Sequence, residues 1–127
     1  MSDDRGSVTA LVVGLVMTFI ACAGLAVDGG RLVTSKVRAS DRAENAARVG
    51  AQSLTNIRLG VPTIDQPEAT RAAAAFLRSM GVSGAVQASP FEVCVEVRET
   101  VRMTLLSLVG VGSRAVSGQR CARPVME

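Results

Sequence analysis

The sequence has no histidine, no tryptophan and no tyrosine, and only three phenylalanines. Without imidazole it lacks the commonest general base and the commonest metal ligand. Without exposed aromatic rings it lacks the stacking platforms that single-stranded nucleic-acid binders use. Cysteine is scarce as well: the three residues show no C-x-x-C spacing, so neither a zinc site nor a thioredoxin-like motif is expected. Gly29-Gly30 and Gly110-Val111-Gly112 lack the context and the following lysine of a phosphate-binding loop. No five or six like charges run together, and Glu92, Glu96 and Arg98 read as the solvated face of one strand. These gaps leave no catalytic constellation. No enzyme activity, cofactor, small-molecule substrate or nucleic-acid partner is expected.

What the chain has is apolar length. Val8 through Val27 carry no charge, and twenty helical residues span roughly 30 Å, the thickness of a bilayer's hydrocarbon core. A polar head, residues 1–7, precedes the run. Four readings fit: an uncleaved anchor; a pilin-like segment trimmed between Gly6 and Ser7; a secretory signal cut near Ala21-Cys22-Ala23 or Gly24-Leu25-Ala26; or a lipoprotein signal acylated on Cys22. Phe19 is a poor start for a lipobox, and Asp3 and Asp4 outweigh Arg5 where ordinary signal peptides are net positive. The reading carried forward is a transmembrane helix over 8–27. Gly14, Ala21 and Gly24 would give it a small-residue surface for other membrane helices, and Cys22 packs as a small hydrophobe.

Residues 28–127 are enough for one domain with a thin core built from Ala, Val and Leu. Asp28-Gly29-Gly30-Arg31 reads as a hinge or as a thin spot in a longer helix. The spacing of Val33, Val37, Ser40, Ala43, Ala47, Ala51, Leu54 and Ile57 predicts a helix over about 31–57. Its narrow, small-sided stripe would let a partner backbone come close. Continuous with the apolar run, it would reach roughly 75 Å. A second helix is predicted over 66–80. Asp65 caps it, with Glu68 three residues on, Pro67 in the first turn and Gly81 at the end. Ala69, Ala73, Phe76, Leu77 and Met80 form its apolar face. The period then falls to two, predicting strands near 85–88, 91–101 and 114–123. The expected fold is α+β: a long N-terminal helix, a second helix and a small antiparallel sheet.

Two features of the strand region bear on function. Cys94 and Cys121 suggest a surface disulfide on the oxidising side of a membrane, worth roughly 3 to 4 kcal/mol for a loop of about 26 residues; the other reading is a pair of free thiols. The uncharged stretch 103–112 is too short to span a bilayer. Either it folds back to finish the core, or Leu105, Leu106, Leu108 and Val109 form an exposed patch for a partner or the membrane surface.

With these pieces in order, the chain resembles the TadE/TadG-like pilus-assembly proteins of the Flp (tight-adherence, type IVc) systems, of actinobacterial type. The resemblance rests on Asp4-Arg5-Gly6-Ser7-Val8-Thr9 before the apolar run and on Gly24-Leu25-Ala26-Val27-Asp28-Gly29-Gly30-Arg31 at its exit. It continues through Ala43, Glu44, Ala46, Ala47, Arg48, Gly50 and Ala51, the stretch Leu105 to Gly112, and the tail Ala122-Arg123-Pro124-Val125. It implies a minor pilin-like, or pseudopilin-like, membrane component that meets other pilus-assembly proteins through its N-terminal helix. The chain departs from the cleaved pilin pattern at one place: counting from Ser7, the fifth residue is Leu11, where such members carry Glu. The alternative function is a secreted or membrane-tethered binding domain of the cell envelope. Topology pulls two ways. Arg31, Lys36, Arg38 and Arg42 follow the run, and the positive-inside rule alone would keep the domain in the cytoplasm. The paired cysteines and the family likeness put it outside, in a single-pass arrangement with the C-terminal domain extracytoplasmic.

Overall fold

The computed structural model describes residues 4–125, so the head's residues 1–3 and the last two residues lie outside it. One helix, α1, runs unbroken from Asp4 to Ala51, 48 residues, or about 72 Å. Gly29 and Gly30 do not hinge it; they are a thin spot within it. The helix stops six residues before the predicted end at Ile57. The Ser53 N–H turns back to the Gly50 carbonyl at 3.1 Å, and Asn56 takes a left-handed conformation with φ 59°. Leu54 therefore enters a two-residue strand, β1 (Leu54–Thr55), paired antiparallel with β2 (Thr63–Ile64). Ile57 sits on a single 3-10 turn, exposed.

Helix α2 (Gln66–Ser79) matches its sequence signals. The Asp65 carboxylate accepts the Glu68 N–H at 3.2 Å, and Gly81 follows the helix with φ 69°. Strands β3 (Gly84–Ala88), β4 (Val93–Arg102) and β5 (Ser113–Ala122) form one antiparallel sheet in that spatial order. Phe91, predicted within a strand, lies before β4 and is exposed. There the chain is still turning: Ser89 Oγ accepts the Phe91 and Glu92 N–H groups at 3.4 and 3.1 Å.

The core is thin. Val93, Val95 and Val97 of β4 face Ala39, Ala43, Ala46, Ala47 and Ala51 of α1 and Ala69, Ala73 and Leu77 of α2. Val33 and Val37 of the predicted stripe are exposed; the buried line along α1 passes instead through Gly24, Asp28, Ala39, Ala43 and Ala46. The closest approach of helix and sheet is at Gly118 in β5. A Cβ there would stand 2.3 Å from the Ser40 backbone nitrogen, so only glycine lets α1 lie this close.

The strands run along the helix. Val93 lies against Gly50, Glu99 pairs with Arg42, and Thr104 meets Asp28. Strand β4 thus descends toward the apolar run and β5 climbs back. The β4–β5 turn is the proximal end of the domain; the 89–92 turn, the β1–β2 ribbon and the C-terminal tail form the distal end.

Candidate functional site

The apolar half of α1 is bare. Among the described residues one helix is long and apolar enough to cross a membrane, and only 6% of its most apolar 18-residue window is buried. A core helix of a soluble protein would be covered there; this one presents Leu11, Val16, Phe19 and Ile20 outward. The Thr18 hydroxyl donates to the Gly14 carbonyl at 2.8 Å, so its polar group is satisfied within the helix, as a lipid setting requires. Gly14 has open space around it, and Ala21 and Cys22 are exposed. Gly6 is likewise open, at the helix's N-terminal end.

Gly24 is different. The place its Cβ would occupy is 3.2 Å from the Cβ of Leu105 in the same chain. Its small surface is filled by the β4–β5 turn and is not left for another helix. At about 100° per residue, Gly14 and Ala21 share a face of α1 and Gly24 is turned about 80° away from Gly14. The three residues assigned to membrane-helix packing therefore split into an open pair and a filled third.

One turn on, Asp28 organises the junction. It is completely buried, yet fully partnered. Its Oδ1 accepts the Thr104 N–H at 3.1 Å, and its Oδ2 accepts those of Leu105 at 2.9 Å and Leu106 at 2.7 Å. These amides open the 3-10 turn Leu106–Val109, so Asp28 caps it from across the molecule. The Leu106 N–H is the main influence holding the carboxyl below its usual range. Burial pushes the other way, while the Thr104 and Leu105 N–H groups and the Arg31 charge add to the lowering. Carbonyls within the turn take up further amides, including Met103 N–H to Gly112 and Val111 N–H to Leu106.

The 103–112 stretch thus combines both expectations. Met103 is buried and Leu105 covers Gly24, whereas Leu108 and Val109 are 82% and 74% exposed. The basic residues that follow the apolar run also have work in the fold. Arg31 donates to the Thr104 hydroxyl, Lys36 to the Ser117 carbonyl and Arg42 to the Glu99 carboxylate.

At the distal end Cys94 and Cys121 stand opposite each other on β4 and β5 and are bonded. Glu92 lies near both sulfurs, but thiols held in a disulfide cannot serve as thiolate ligands, so this group is not a metal centre. Glu92 pairs instead with Arg123, and Glu96 with Arg98, as expected of a solvated face.

Sequence reasoning identified the cysteine pair and the apolar turn but not Asp28. The available signal was a lone carboxylate directly after an apolar run, which needs a partner, and an uncharged loop whose amides also need one.

Comparison with curated proteins and with solved structures found no match. A family model does match. Residues 6–53, the whole apolar run and the helical stem of the domain, fit the Tad family, "Putative Flp pilus-assembly TadE/G-like". Residues 6–53 are thus similar to the TadE/G-like segment of Flp pilus-assembly proteins.

Proposed function

We propose that this protein is a membrane-anchored, minor pilin-like component of Tad/Flp pilus assembly, working by helix packing and protein–protein contact. One observation carries the reading. The family match covers a single helix whose first half is bare and apolar and whose second half is the spine of a folded domain. Such a helix holds a domain at a fixed height above a membrane and offers its bare half to neighbouring helices. The open face at Gly14 and Ala21 suits close helix contact better than lipid exposure, because small residues let backbones approach. The C-terminal domain would face the extracytoplasmic side, where a disulfide persists. With three of the basic residues after the run tied to the sheet, their positions are accounted for by folding as well as by topology.

The test is Gly14→Leu against Val13→Leu as control, each expressed with the neighbouring pilus components. Gly14→Leu should insert normally but lose crosslinked or co-purified partners; Val13→Leu should keep them. Equal capture by both variants sinks the packing role. Alkaline phosphatase fused after Val125 reports topology, and an inactive fusion would place the domain inside.

A further inference from the structure

The β4–β5 turn rests on the level where the apolar run ends. Leu105 touches Gly24, three residues before Val27, which is about 4.5 Å of helix rise inside the apolar run. We propose that this turn is a second membrane contact: Leu108 and Val109 dip into the interface of the bilayer that α1 spans, under a collar of basic side chains that meets anionic headgroups. The inference rests on α1 spanning a membrane.

Three observations converge on it. From Met103 to Gly112 there is no charge, and the outermost side chains are apolar and bare. The amides near the tip are largely spoken for: Asp28 takes three and carbonyls of the turn take others, so little backbone desolvation opposes entry into a low-dielectric layer. The exposed charges just above are all of one sign. Gly118 lies against Ser40 and pairs with Val97, and between that level and the tip stand Arg31, Lys36, Arg38, Arg98, Arg102 and Arg114. The acidic residues in those two segments (28–40 and 97–118) are Asp28, which is buried, and Glu99, which is half-buried and paired with Arg42. An apolar tip below a cationic ring is the pattern of interfacial insertion, with each Lys or Arg near an anionic surface adding attraction. A protein partner could cover two apolar residues equally well, but it would not account for their height beside the end of the spanning segment.

Depth-dependent quenching tests this on the full chain in a Cys22→Ser background, with the Cys94–Cys121 bond verified intact in every variant. An environment-sensitive fluorophore is placed at Leu108→Cys, at Val16→Cys inside the run and at Leu59→Cys on the distal end. The proteins are reconstituted in phosphatidylcholine vesicles with and without phosphatidylglycerol, carrying lipids brominated at shallow or deep acyl positions. Label 108 should be quenched by shallow bromines, label 16 by deep ones and label 59 by neither. Anionic lipid should strengthen quenching at 108 alone. Quenching at 16 but not at 108 overturns the proposal and leaves the spanning helix standing. Quenching at neither removes both. Quenching at 108 that ignores anionic lipid overturns the role of the collar.

Discussion

The two ends of the sheet are fastened by opposite chemistries. At the distal end a covalent bond joins Cys94 to Cys121, and around it lie exposed ion pairs such as Glu92–Arg123. At the proximal end the fastening is one buried carboxylate on three amides. Water weakens electrostatic bonds at the distal end, where a pair like Glu92–Arg123 is worth little and a covalent staple keeps its full effect. Beside an apolar helix the dielectric is low, and a carboxylate capping three N–H groups becomes a strong clamp without covalent chemistry. Each end uses the device its surroundings favour.

Reducing the disulfide should break the comparison on the distal side with the largest effect. Bridging residues 27 apart, it is worth roughly 3 to 4 kcal/mol in the chain-entropy model. Reduced protein should therefore unfold at markedly lower denaturant. If amide exchange at Thr104 to Leu106 rose as much as at Val93 to Val95, the two ends would be one cooperative unit and the distinction would fail. Gly118→Ala comes next. The added methyl meets the Ala39 and Ser40 backbone, which cannot yield without moving α1 off the sheet. A loss of about 1–3 kcal/mol, toward the upper part of that range, is expected in chemical denaturation. A neutral result would mean that the helix sits farther from β5 than described.

Legibility in the sequence follows the same division. Helix α2 was readable because Asp65, Pro67 and Gly81 are local signals whose partners lie within a few residues. The alternation Val93, Val95, Val97 was readable because a strand's period is written into its side chains. The disulfide was readable because cysteines are rare here. What escaped depended on groups without a side-chain signature. Asp28 finds its partners 76 to 78 residues away, and those partners are backbone amides that any sequence supplies. The early end of α1 escaped because Leu54 and Ile57 keep helical spacing while Asn56 turns the chain left-handed. Two-residue strands such as β1 and β2 are too short to show a period at all.

Acid should loosen the proximal end selectively. Asp28 titrates below its ordinary value of 3.8 in the folded protein, chiefly through the Leu106 N–H. A carboxyl with a depressed folded pKa contributes stability that is fully present above its unfolded pKa and is lost as pH falls through the folded one. The clamp should therefore be constant from neutral pH down to about 4 and fail only below that. The measurement is the pH dependence of the Thr104, Leu105 and Leu106 amide resonances in detergent micelles, wild type against Asp28→Asn. The substitution should displace these resonances at every pH and abolish the acid transition. A transition of equal size in the variant would assign it to another carboxyl.

The smallest effect separates the two leucines of the proximal turn. Leu105 covers Gly24, whereas Leu108 is almost wholly exposed. In denaturant unfolding Leu108→Ala should change stability by no more than about 0.5 kcal/mol, the range for surface substitutions. Leu105→Ala should cost more, since it uncovers Gly24 and withdraws the packing that holds the turn against α1. The pair decides what the proximal end is for. If Leu108→Ala is silent in folding yet lowers membrane association of the turn, the end has two layers: Asp28 and Leu105 build it, and Leu108 and Val109 use it. If Leu108→Ala destabilises the protein as much as Leu105→Ala does, the turn is only a cap on the fold, and the exposed side chains have no separate task.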